Sequence, residues 1–72
     1  MLYSLYRQGE ESAEAANAQI ASSELQAMEQ ARSWLESHAE HDRYVLVPED
    51  GSRSILMVRT IAGPWYAIPS IA

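Results

Sequence analysis

Cysteine and lysine are both missing from this chain, and glycine occurs only three times. Without cysteine, no disulfide or thiolate metal site can staple the fold. Stability must then come from a compact core or from oligomerisation. The three glycines lie far apart, so no glycine-rich loop is present to cradle a phosphate. No serine sits in a G-x-S-x-G elbow. No apolar run approaches the length that crosses a bilayer. The first residues, MLYSLYR, lack the leading positive charge and the long apolar stretch of a signal peptide. A cytoplasmic protein with no membrane contact is expected, and the lack of cysteine fits that compartment. All five cations are arginine and eleven residues are alanine, a bias that points to a GC-rich bacterial or phage genome.

What is present is an ordinary globular composition, 47% apolar and 21% charged. The 72 residues suffice for one domain, spanning 1–72. A chain of this size buries only roughly 60% of its unfolded surface, so its core is small. The net charge of −5 is unevenly spread. Residues 10–42 hold eight carboxylates against Arg32 alone, a balance of −7, whereas residues 43–72 balance at +1. Direct binding to nucleic acid requires phosphate neutralisation, which this balance opposes. An acidic surface favours encounter with a basic partner protein instead.

The clearest element is a helix over Ser23 to His41. At 100° per residue, Ala27, Met28, Ala31, Trp34, Leu35 and His38 share one side, and Glu29, Ser33, Glu36, Ser37 and Glu40 the other. Ser23 followed by Gln26 matches a capping box. Arg32 is spaced to pair with Glu29 and Glu36, each pair adding about 0.2–0.5 kcal/mol. The helix should fray by His41 or Asp42.

Before it, residues 2–7 read as a strand, with Tyr3 and Leu5 on one face and Ser4 and Tyr6 on the other. Residues 10–22, rich in alanine and glutamate, read as helix. The alternative is a hairpin partner of the first strand, turning around Gly9, which the alternation of Ala16, Ala18 and Ile20 permits. After the helix, residues 43–48 and 54–60 read as strands joined by a turn at Glu49 to Ser52. A second turn at Ala62-Gly63-Pro64 leads to a last strand at 65–68, stopped by Pro69 as an edge strand would be.

These elements predict an α+β fold in the chain order β–α–β–β–β. Its small antiparallel sheet of three to four strands carries one long or broken helix packed on one face. One helix cannot cover the apolar surplus of Tyr3, Tyr6, Tyr44, Trp65, Tyr66 and the run Ile55 to Val58. Either the sheet curls around the helix, or its outer face binds something, a second copy included.

Candidate chemistry is thin. His38 and His41 have a spacing that can share a helix face and grip an ion, but a catalytic zinc needs three placed ligands and no third is evident. Packing of His38 and a favourable contact of His41 with the negative helix end account for both. Carboxylates are abundant, yet general acid–base work needs a cleft and a shifted pKa, for which so small a domain has little room. No catalytic residue, metal or cofactor is assigned, and no enzyme activity is expected.

Two candidate contact surfaces remain. The acidic stripe of Glu29, Glu36 and Glu40 is either a solvated helix face or a contact for a basic partner. On a nucleic-acid enzyme, its carboxylates would occupy sites meant for phosphates. Trp65 and Tyr66 are either an aromatic binding patch, of the residue types enriched at hot spots, or core closure by Trp65.

In size, charge and class the chain resembles the small acidic proteins of bacterial viruses and mobile elements that inhibit host enzymes, inhibitors of CRISPR interference among them. The resemblance carries no motif and implies no particular target. The expected function is a protein-binding module of this inhibitory kind, and the alternative is a homo-oligomeric module assembled through its sheet.

Overall fold

Five strands and one helix follow one another as β1 (Leu2–Arg7), β2 (Asn17–Ile20), α1 (Glu24–His38), β3 (Arg43–Pro48), β4 (Ile55–Arg59) and β5 (Trp65–Pro69). The computed structural model describes residues 1–69. All strand pairs are antiparallel, in the order β2-β1-β3-β4-β5, and α1 packs on one face of the sheet. The fold is α+β as expected. The sheet has five strands rather than three to four, and the chain order is β–β–α–β–β–β.

The added strand comes from the stretch read as helix. Gly9, with φ +88, begins a loop whose turns are closed by the N–H of Glu10 on Arg7 O (2.9 Å) and of Ala13 on Glu10 O (3.0 Å). Asn17–Ile20 then pairs with β1, Leu2 opposite Ile20 and Leu5 opposite Asn17. Helix propensity there is a local preference of a few tenths of a kcal/mol per residue, and short helices are marginal without packing. Pairing with β1 instead satisfies the backbone groups along their shared edge, so the hairpin alternative is the one adopted.

Alternation sets the inner face. Tyr3 and Leu5 of β1, Tyr44 and Leu46 of β3, Ile55 and Met57 of β4, and Trp65 of β5 are buried against Ala27, Ala31 and Leu35 of α1. The small Ala27 and Ala31 let the helix lie close, and Met28 and Trp34 pack at its flanks. The helix approaches the edge strands β2 and β5.

Ser23 caps α1: it is extended (φ −151, ψ 162), and the Gln26 N–H donates to its Oγ at 3.1 Å. Gln26 reaches back one residue further than the capping box anticipates, accepting from the Ser22 N–H at 2.6 Å. The helix ends at His38, three residues short of the predicted limit, with Ala39 as its extended C-cap.

Candidate functional site

Consecutive strand residues point to opposite faces, and this separates Trp65 from Tyr66. Trp65 is 3% exposed and belongs to the core. Its ring meets that of Tyr44 edge-on at 6.1 Å, and the Arg59 guanidinium lies 5.5 Å from its centre. Tyr66 is 57% exposed. Trp65 thus closes the core, and Tyr66 alone of the two presents its ring to solvent.

The acidic stripe is also shorter than expected. Glu29 and Glu36 stand exposed on α1, seven positions and about two turns apart. Glu40 lies beyond the end of α1, in the connection to β3, where its N–H donates to the Tyr44 hydroxyl at 3.2 Å. Among the described residues, Arg32 makes no ion pair with Glu29 or Glu36. The pairs that form are tertiary or loop contacts: Arg53 with Glu24, Arg59 with Asp42 at 2.6 Å, and Arg7 with Glu10. Hydrogen bonding from Arg53 holds the Glu24 carboxyl below its ordinary value, and Glu24 in turn raises Arg53. The Ser52 hydroxyl and N–H lower Asp50 in the β3–β4 turn.

The histidines have separate partners. His38 stacks on Trp34, ring centres 4.8 Å apart and 11° from parallel, with Nδ1 3.0 Å from Trp34 O. The Nη1 of Arg7 lies 2.8 Å from His41 Nε2. Among the described residues, no three His, Asp or Glu side chains gather in a metal-binding arrangement.

One open groove of about 300 Å³, between α1 and the β5 edge, brings Glu29 together with Trp65 and Tyr66. Leu25, Met28 and Arg32 complete its helix side. Glu36 and Glu40 lie outside it.

The largest unassigned feature is the outer face of the sheet. Strand register builds a continuous apolar row across four strands, Tyr6–Val45–Leu56–Ile68. Beside it run Val58 with Tyr66, and Val47 with Ser4. Ile68 is 52% exposed, and the mid-sheet valines and Leu56 are half-buried. The unbroken run Ile55 to Val58 suggests a strand covered on both sides or central in the sheet. In the structure β4 is an interior strand between β3 and β5, with Ile55 and Met57 buried and Leu56 and Val58 half-buried. Alternation along residues 43–48 and 54–60 is the signal that could have singled out Val45 and Leu56 in advance.

No helix among the described residues is long and apolar enough to cross a membrane. The chain matches no protein-family model, no curated protein and no solved structure.

Proposed function

We propose that this chain is a small non-catalytic protein-binding module that works through two surfaces on opposite sides of its sheet. The observation that carries the reading is the bare outer face, with its row Tyr6–Val45–Leu56–Ile68 and no covering element among the described residues. Folded monomers seldom leave a contiguous apolar area of this kind without a binding role.

The second surface is the solvent side of α1, and it suits a basic partner. Arg7, Arg53 and Arg59 are engaged with Glu10, Glu24 and Asp42, which leaves Glu29 and Glu36 without an ion-pair partner among the described residues. The specific version of the proposal is a phage- or mobile-element-type inhibitor of a nucleic-acid-handling enzyme. There the two carboxylates would take positions otherwise filled by phosphates, and the chain's own net charge of −5 works against direct nucleic-acid binding.

Affinity capture from nuclease-treated host lysate tests both surfaces when run with variants. Ile68→Glu, beside Val45 and Leu56 and away from the α1 groove, should diminish a partner held by the sheet, and the pair Glu29→Lys with Glu36→Lys a partner held by the helix. Recovery unaffected by either set, from variants with unchanged circular dichroism, would remove both surfaces as contacts.

A further inference from the structure

We infer that the outer sheet face is the pairing surface for a second copy of this chain. The inference rests on reading that face as a contact surface and names its occupant. Charge is the first argument. The chain has ten carboxylates, but none projects from the outer face of a strand. Arg43, at one end, is the single charged residue there. A basic protein or a nucleic acid gains nothing electrostatic from such a surface, whereas an identical uncharged surface matches it. The arrangement also keeps the like charges apart. With the sheets face to face, the two acidic helices lie on the outsides, roughly 30 Å apart for layer spacings of about 10 Å. That is several times the Debye length of about 8 Å at physiological ionic strength, so Glu24, Glu29 and Glu36 of the two helices oppose pairing little; the other seven carboxylates lie in loops outside the strands.

Area is the second argument. Five strands about 4.8 Å apart and about 15 Å long give a face of roughly 350 Å² in projection. Its corrugated accessible surface is larger, so two copies bury on the order of 1,000 Å² together, the lower limit of a specific interface. The dimer is therefore reversible and concentration-dependent. A closed pair of this kind has two-fold symmetry. The centre of the face is Val45 on the middle strand β3, which then faces its own counterpart. Tyr6, Leu56, Val58 and Ile68 surround it.

Analytical ultracentrifugation from about 10 μM to about 1 mM is the test, spanning the range of weak association. The mass should rise with concentration toward twice the 8.1 kDa of one chain. Ile68→Glu should weaken association by roughly tenfold or more, and Leu56→Glu more strongly, since each buries an unpaired charge twice. The chain has no cysteine, so Val45→Cys supplies a single thiol. Under mild oxidation it should give a covalent dimer in preference to Ser33→Cys on the exposed side of α1, and it needs no destabilising charge. A wild-type mass of one chain at every concentration, with Val45→Cys no more crosslinked than Ser33→Cys, overturns the inference. If that monomer captures another protein and Ile68→Glu abolishes the capture, the inference falls and the face stands as a contact for a different partner. If capture is also indifferent to Ile68→Glu, the reading of the face falls with it.

Discussion

The guanidinium of Arg53 holds the carboxylate of Glu24 through two hydrogen bonds, of 2.8 and 3.2 Å. Twenty-nine residues separate them in the chain. The pair ties the first turn of α1 to the segment between β3 and β4, and thus the helix to the far half of the sheet. Both side chains remain partly exposed to solvent, so the contact orients more than it stabilises.

Its pH dependence has a definite sign. Glu24 is lowered in the folded chain, chiefly by the hydrogen bond from Arg53, from an ordinary value of 4.5. The unfolded state then binds the proton first as acid is added, so the contribution is complete above pH 4.5 and fades as pH falls through the lower folded value. Thermal melts of wild type and Glu24→Gln should differ most near neutrality and converge in acid. A gap that widens on acidification would contradict the pair's role.

Leu35 is the only large helix side chain that is fully buried, at 1% exposure, because its neighbours on the inner stripe are Ala27 and Ala31. Leu35→Ala should therefore cost about 2–5 kcal/mol. A 72-residue chain has a total stability of roughly 4–11 kcal/mol, so the variant keeps only part of it. Urea unfolding should show a much lower midpoint, with little change of slope if the unfolded state is unaltered.

Gln30 presents the opposite case. Its side-chain nitrogen lies 3.4 Å from Ile20 O, but its Oε1 is buried without a partner among the described residues, beside a cavity of about 10 Å³ lined by Tyr3, Asn17 and Ala27. An unpaired buried acceptor costs about 1–3 kcal/mol, more than one long hydrogen bond returns. Gln30→Met, similar in volume and free of the acceptor, should raise stability by about 1 kcal/mol. Equal or lower stability in denaturant titrations would mean that the nitrogen's contact to β2 matters more.

The parts of this fold that were legible in sequence are those decided locally. Ser23 caps the helix because the groups involved lie within one turn, and Tyr3 and Leu5 face inward because a strand alternates. The Asp50-Gly51 turn follows from a residue that accepts φ +77. The misread parts depend on distant partners. Within residues 10–22 the alternation of Ala16, Ala18 and Ile20 permits a partner for β1, but alanine and glutamate favour a helix locally, so β2 is legible there only as the alternative. The Arg32 pairs satisfy helix spacing, yet two solvated side chains gain too little from meeting to be fixed there. The Arg53–Glu24 contact could not be read at all, since it exists only once the β3–β4 segment lies beside the helix start. Of the candidate site, the apolar surplus was legible, but which residues carry it depends on strand phase.

Trp65 and Tyr66 test that phase most directly, because a one-residue shift would exchange their surroundings. Trp65 fills the core against Tyr44, with Arg59 over its ring, so Trp65→Ala should cost about 3–5 kcal/mol and can unfold the chain. Tyr66 is 57% exposed on an edge strand, where removing its ring leaves no cavity. Tyr66→Ser should change stability by about 1 kcal/mol or less, mainly through lost strand propensity and its contact with Val58. Chemical denaturation of the two variants side by side is sufficient. If both lose stability equally, Tyr66 is covered in solution, which a self-paired sheet would produce at high protein concentration and not at low. Repeating the measurement on diluted samples therefore separates an error of strand phase, which dilution leaves unchanged, from burial by a second copy, which dilution relieves.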